Sequence, residues 1–238
     1  MTQALNGQVA FITGATRGIG RAIAVRLARD DARLALCGRD AEALAAVSEE
    51  VRATGAETPF TGTFDLADEE AVLGFYGAAR AAVGPPAILI NNAGYNPRKA
   101  PLLEVTGAEL DRILAVNLKA PFLLAREALR DMAERGAGHI VNLLSTVCHT
   151  SMETMGAYTA SKNGLEGLSG VLLKEARALG VKVSLVYPGG TDTEFRPKAR
   201  PDYMRPESVA ETVHALLTLP ADVIIQGITF RPLVETNF

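Results

Sequence analysis

Apolar residues along the chain fall into two rhythms. Short aliphatic or β-branched runs, "QVAFIT" (8–13), "RLALC" (33–37), "TPFTGTF" (58–64), "AILIN" (87–91), "HIVNLLS" (139–145), "KVSLVY" (182–187) and "DVIIQGITF" (222–230), are predicted strands. Several are apolar at consecutive positions, the pattern of a parallel sheet covered on both faces. Between them lie longer stretches of helical patterning, near 19–30, 41–55, 68–83, 106–135, 156–179 and 206–218. Breakers punctuate the alternation: Gly84-Pro85-Pro86 before the fourth strand, Gly136 and Gly138 before the fifth, Gly180 before the sixth. Strand and helix in turn signal βαβ units. The expected fold is α/β, a Rossmann-type doubly wound sheet of about seven mainly parallel strands with helices on both faces. Residues 1–238 form one domain, with no repeat, linker or low-complexity tract.

Composition narrows the setting. With 48% hydrophobic and 21% charged residues the chain is globular in type. A net charge of −3 provides no basic footprint for nucleic acid or a membrane surface. The opening "MTQALNGQVAF" lacks a cationic region followed by an apolar one, and no apolar run approaches the ~18 residues of a membrane span. Cys37 and Cys148 make no disulfide framework, so a cytoplasmic protein is expected.

Two stretches carry chemistry. "TGATRGIG" (13–20) joins the first strand to the first helix, where residues without Cβ let backbone N–H groups approach a pyrophosphate at the positive end of a helix. Its glycines, Gly14, Gly18 and Gly20, are not spaced G-x-G-x-x-G. After the second strand comes "CGRD": Arg39 and Arg17 could hold a 2′-phosphate, whereas Asp40 could accept from a ribose hydroxyl or simply cap the next helix. Two arginines against one acid favour NADP(H) over NAD.

In "GAYTASKNGLEGL" (156–168), Tyr158 and Lys162 are four residues apart and share a helix face. A phenol with a pKa near 10 is a weak acid–base catalyst at pH 7 unless a cation favours its phenolate, and a ~3-unit shift needs about 4 kcal/mol of differential interaction. Ser145 closes the fifth strand at the carboxyl edge where open α/β sheets bind ligands, and its hydroxyl can donate to a carbonyl gaining charge. Asn117 lies inside a predicted helix four residues before Pro121, which has no N–H. The spacing predicts a helix defect there, with the Asn117 carbonyl turned to water or the chain simply kinked.

Together these residues resemble the short-chain dehydrogenase/reductases over the whole chain. Thr13–Gly20 is similar to that family's T-G-x-x-x-G-x-G, "NNAG" (91–94) to its second motif, "FDL" (64–66) to its adenine-contacting Asp-Leu, and "YPGGTDT" (187–193) to its P-G…T segment. Asn117, Ser145, Tyr158 and Lys162 match its tetrad, with Ser145 preceding Tyr158 by 13 residues. The resemblance implies that Tyr158 is the general acid or base, that Lys162 lowers its pKa and binds the nicotinamide ribose, that Ser145 orients the carbonyl, and that Asn117 holds a relay water. The implied cofactor-binding set is Gly14, Thr16, Arg17, Gly18, Ile19 and Gly20, then Arg39, Asp65, Leu66, Asn91, Ala93 and Gly94, then Tyr158, Lys162, Pro188, Gly189, Thr191 and Thr193.

The expected activity is an NADP(H)-dependent interconversion of a small-molecule carbonyl and a secondary alcohol. One alternative is a 3-oxoacyl-thioester reductase, for which Arg98, Lys99, Arg126 and Arg130 supply only scattered basic residues. Another is a catalytically silent NADP-binding sensor or scaffold. Only about fifteen residues separate Thr191 from the helix beginning near Pro206, a short lid. The pocket wall, "TVCHTSMETM" (146–155), mixes Met152 and Met155 with His149 and Glu153, and His149 is expected as an exposed loop residue. No ligand-spaced cluster suggests a metal. Gly164, Gly167 and Gly170 suggest a flat helix surface, packed either on the protein's own sheet or, as the resemblance implies, in a homodimer or homotetramer.

Overall fold

The structure, a computed structural model, describes residues 5–195 and 198–236. Strands β1 (Val9–Thr13), β2 (Arg33–Gly38), β3 (Phe60–Thr63), β4 (Ile88–Asn91), β5 (Gly138–Leu143), β6 (Val181–Pro188) and β7 (Gly227–Phe230) form a seven-stranded sheet in the order β3-β2-β1-β4-β5-β6-β7. Every pairing is parallel, so the sheet is wholly rather than mainly so. Helices α1 (Gly18–Ala28), α2 (Ala41–Ala53), α3 (Glu69–Val83), α4 (Gly107–Leu114), α5 (Ala120–Arg135), α6 (Gly156–Arg177) and α7 (Pro206–Leu217) cover it.

Strand periodicity sorts the core into two layers. Phe11, Ala35, Cys37 and Leu89 pack with apolar residues of α3, α5 and α6, while Ala10, Ile12, Leu34 and Leu36 pack with those of α1, α2 and α7. Strand order reverses between β1 and β4, and the carboxyl ends of these strands border the crevice where such sheets take ligands.

Two elements differ from expectation. The predicted helix 106–135 is broken by a π turn, Ala115–Lys119, in which the N–H of Ala120 reaches back to the Ala115 carbonyl. Pro121 in the first turn of α5 cannot supply the donor that Asn117 would need, so the defect predicted from that spacing is present. The predicted strand 222–230 is pairing-competent only from Gly227. Upstream, side chains of β6 take carbonyls that a ladder would use: Lys182 Nζ donates to Val223 and Ser184 Oγ to Ile225.

Candidate active site

At the end of β1 the backbone must turn at once into α1, and each glycine there has its own steric reason. Gly14 has φ +65°, and a Cβ on it would stand 2.9 Å from the Ala93 Cα. Gly18 has φ +54° and lies under Thr193, whose Cγ2 would be 3.2 Å from an added Cβ. A Cβ on Gly20 would collide with the Gly14 carbonyl oxygen. Helix α1 starts with no side-chain cap and no acid in its first turn, whereas Asp40, Asp68 and Thr106 cap α2, α3 and α4. The N–H groups of its first turn therefore have no side-chain cap.

Beside the turn, Arg17 and Arg39 are both exposed. Asp40 accepts from the Ala43 N–H at 3.0 Å, so its carboxylate serves as the α2 cap. The guanidinium of Arg39 lies 5.7 Å from the Tyr95 ring centroid, and that of Arg112 lies 5.4 Å from it. Asp65 accepts from Arg112 at 2.5 Å and from the Ala67 N–H at 3.0 Å. Partial burial pulls the Asp65 carboxyl up, but the Ala67 amide and Arg112 hold it below the usual carboxylate range.

Across the crevice, Tyr158 is buried with Val147 and Met155 at the start of α6. One turn later Lys162, 2% exposed, donates from Nζ to the Leu143 carbonyl at 2.7 Å, with Nζ 5.9 Å from the Tyr158 ring centroid. Burial lowers its ammonium to about 8. Ser145 follows β5; its Oγ accepts from the Val147 N–H at 3.3 Å, which engages a lone pair and not the O–H. Asn117 lies in the π turn, fully buried. Its Oδ1 accepts from the Tyr95 N–H at 2.7 Å, and its Nδ2 donates to the Tyr95 carbonyl and to Ser161 Oγ, each at 2.9 Å. Ser161 in turn donates to the Tyr158 carbonyl at 2.7 Å. A phenol, a buried ammonium, a hydroxyl and an anchored asparagine thus meet beside an open helix N-terminus.

The family model for short chain dehydrogenases matches residues 8–204. The chain belongs to the short-chain dehydrogenase family. Gluconate 5-dehydrogenase of Gluconobacter oxydans is 35% identical over 191 residues, 80% of this chain and 74% of that one. Among solved structures, a metagenomic short-chain oxidoreductase in complex with NADP superposes with a TM-score of 0.87 at 38% identity, covering 97% of this chain and 100% of that one. An alcohol dehydrogenase from the archaeon Thermococcus sibiricus, complexed with 5-hydroxy-NADP, superposes with a TM-score of 0.89 at 29% identity, covering 96% and 98%.

As a short-chain dehydrogenase, the protein uses several residues in ways its motifs do not disclose. The side chain of Asn91, 1% exposed, does not line the crevice: its Nδ2 donates to Asn142 Oδ1 at 2.8 Å and to the Pro121 carbonyl at 3.4 Å. Its neighbour Asn92 is the one that reaches the glycine turn, donating from Nδ2 to the carbonyls of Thr13 (2.9 Å) and Gly14 (3.2 Å). Strand alternation, continued one residue past the end of β4, explains the exchange, since successive side chains of an extended chain point to opposite faces. Thr13 Oγ1 then accepts from the N–H groups of Asn92 and Ala93, which fixes Ala93 and Gly94 beside the turn. The side chains of Ile19 and Leu66 are partly buried and pack against the apolar layers. Thr16 packs its methyl over Gly38, where a Cβ would collide with it.

Ser161, Ser169 and Asn142 were not among the residues expected. Asn142 Nδ2 donates to Ser169 Oγ at 2.8 Å, and Ser169 donates to the Leu165 carbonyl at 2.6 Å. Two serines eight residues apart on one face of α6, each bonded to an asparagine, therefore key the helix that bears Tyr158 and Lys162. In the segment after β6, Thr191 pairs with Met204 and donates to the Gly189 carbonyl at 3.2 Å, and Phe195 sits 5.9 Å, ring to ring, from Tyr158. His149 is exposed as expected, yet its Nε2 bonds Thr229 Oγ1 at 2.9 Å and its ring lies 4.5 Å from Tyr187. Met155 is buried, whereas Met152 and Glu153 are exposed. Cys37 and Cys148 are unpaired thiols, and no group of three metal-ligating side chains gathers among the described residues.

Proposed function

We propose that the protein is an NADP(H)-dependent oxidoreductase that interconverts a small-molecule carbonyl and a secondary alcohol, with Tyr158 as general acid or base. The observation that carries this reading is the buried Lys162 ammonium one helical turn from Tyr158, at the carboxyl edge of β5 beside Ser145. The residues present fit a phosphorylated dinucleotide. The glycine turn is a cradle that added Cβ atoms would fill, α1 is uncapped, and Asp40 is occupied as a cap while Arg17 and Arg39 are exposed beside it. Two of the solved relatives hold NADP or 5-hydroxy-NADP. Gly14, Gly18, Gly20, Ala93, Gly94, Thr191 and Thr193 would border the cofactor, with Arg17 and Arg39 at its 2′-phosphate.

When bound, the cofactor supplies the hydride that reaches the carbonyl carbon. Ser145 donates its O–H to the carbonyl oxygen and fixes its position. Tyr158 transfers its phenolic proton to that oxygen, and recovers a proton afterwards. Lys162 makes this transfer possible near neutral pH, because a cation beside the phenol lowers the energy of its phenolate. Asn117 holds the Tyr95 backbone on one side and Ser161 on the other, keeping α6 in register with the crevice.

The other readings draw less support. Arg98 pairs with Glu104 and Glu109, and Arg126 and Arg130 pair with Glu127, which weakens the case for docking an acidic carrier. A silent binding protein has no need of a buried lysine beside Tyr158. A homodimer or homotetramer is part of the proposal: a Cβ on Gly167 or Gly170 would meet open space, although Gly164 packs on Leu118 of the same chain. No helix among the described residues is long and apolar enough to cross a membrane.

The test is NADPH oxidation by the purified protein with a panel of small ketones, hydroxyketones and an acetoacetyl thioester. Tyr158→Phe is expected to lower kcat by about 10²–10⁴-fold while leaving the Kd for NADPH within about twofold of wild type, a factor worth only ~0.4 kcal/mol. Equal turnover in the mutant would sink the mechanism.

A further inference from the structure

The two glycines after Pro188 stand in a segment that the proposed cofactor site needs, yet what crowds them is the protein itself. A Cβ on Gly189 would lie 2.6 Å from Glu235 Oε2 and 2.9 Å from Arg231 Cγ. A Cβ on Gly190 would collide with the Tyr203 ring and stand 2.8 Å from Glu235 Oε1. The space a side chain would occupy is filled by Arg231, Glu235 and Tyr203. That explains the glycine pair without any appeal to a ligand.

Glu235 is the centre of this packing. Its Oε1 accepts from the Gly190 N–H at 2.9 Å, and its Oε2 lies 3.4 Å from Arg231 Nη1, with both side chains only 10% exposed. Three further backbone hydrogen bonds hold the segment. The Gly189 N–H donates to the Phe230 carbonyl at 2.8 Å, the Gly190 carbonyl accepts from the Met204 N–H at 3.1 Å, and the Asp192 N–H donates to the Met204 carbonyl at 2.8 Å. From this anchored point the chain runs to Thr193 over Gly18 and to Phe195 beside Tyr158 and Gly94.

We infer that Glu235 is a positioning residue for the nicotinamide half of the cofactor site: its buried carboxylate clamps Gly190 so that Thr191 and Thr193 are presented to the ligand rather than sampled by a free loop. The inference rests on the cofactor reading proposed above. Its logic is preorganisation: a segment already ordered loses less entropy on binding. Removal of the carboxylate leaves a backbone N–H of Gly190 without its acceptor, in a place where water has little access.

The consequence is a selective defect. Glu235 touches the segment that would meet the nicotinamide end and is not in contact with Arg17 or Arg39 at the adenosine end. Two ligands separate these halves: NADPH, and adenosine 2′,5′-bisphosphate, which carries the 2′-phosphate but no nicotinamide. Titration of each onto the intact protein is expected to show Glu235→Ala weakening NADPH about tenfold or more while the bisphosphate changes by less than about twofold. Glu235→Gln retains an acceptor for Gly190 and should recover most of the NADPH affinity. Glu235→Asp keeps the charge but withdraws it by one methylene, so it should resemble Glu235→Ala; it serves as the second variant if the alanine protein does not fold. Equal weakening of both ligands, or unchanged NADPH binding in Glu235→Ala and Glu235→Asp, would overturn the assignment and reduce Glu235 to a contributor to global stability. Failure of the wild-type protein to bind either ligand would instead overturn the NADP reading, and this inference with it.

Discussion

Lys162 carries a charge into a place where charge is unfavourable. With its ammonium buried and lowered to about 8, the charged form is disfavoured by about 3 kcal/mol relative to a free lysine near 10.4. Between those two values the unfolded chain holds the extra proton, so stability rises with pH across that window and the fold bears the penalty below it. The proposed function runs the other way, because Tyr158 benefits from its neighbour only while that neighbour is cationic. Reductive kcat/KM is therefore expected to fall as pH rises through about 8, and Lys162→Arg, which stays charged, should move that limb upward; a pH–rate profile from 6 to 10 checks it. A limb unmoved in the arginine variant would assign it to another group. At this scale the Tyr158–Lys162 pair was legible, because four residues of helix bring two side chains together wherever the helix lies. Asn92, Tyr95 and Ser161 were not. Their roles depend on partners 22 to 79 positions away, and no local spacing announces such a partner.

The junction of α4 and α5 is the element with the most at stake. Pro121 withholds a donor, the Ala120 N–H reaches to Ala115 instead, and the widened turn sets the Asn117 side chain between Tyr95 and Ser161. Pro121→Ala would restore an N–H four residues after Asn117 and make an uninterrupted α-helix available. The expected outcome is a loss of kcat of about tenfold or more, equivalent to ~1.4 kcal/mol in the barrier, with the thermal midpoint held or raised. Unchanged kcat would mean that the π turn is incidental to the chemistry. The sequence located this defect but did not distinguish a π turn from a proline kink, since that depends on which carbonyl the displaced donors find. For a similar reason strand 222–230 was read too long. Its apolar run is strand-like, but Lys182 and Ser184 of β6 claim the carbonyls of Val223 and Ile225.

Across the whole molecule, the layers on each side of the sheet are tied together by partly buried polar clusters as well as by apolar packing. On one side Tyr76 and Arg80 of α3 both donate to Asp131 of α5, at 2.7 and 3.0 Å. On the other, Asp30 accepts from Arg26 and from His214 of α7. Partial burial raises the Asp131 carboxyl, but Arg80 and Tyr76 together hold it below its ordinary range. A carboxylate depressed in the folded state contributes stability that is present above its unfolded value, about 3.9, and is lost as pH falls through the folded one. Asp131→Asn should thus lower the midpoint at pH 7 by roughly 2–8 °C and flatten the acid limb below pH 4 in melts taken across pH; a parallel shift at every pH would show that the charge is not what matters. By itself the sequence determined the succession of strands and helices, the two-faced apolar layering, the glycine turn and the Tyr–Lys pair. These follow from periodicity and short spacing, which act within an element. Tertiary structure alone decided that Asn92 rather than Asn91 meets the turn, that two Ser–Asn bonds key α6, and that Glu235 grips Gly190. In each case a polar atom is satisfied by whichever partner the packed sheet brings within hydrogen-bond reach, because burying such an atom without one costs free energy.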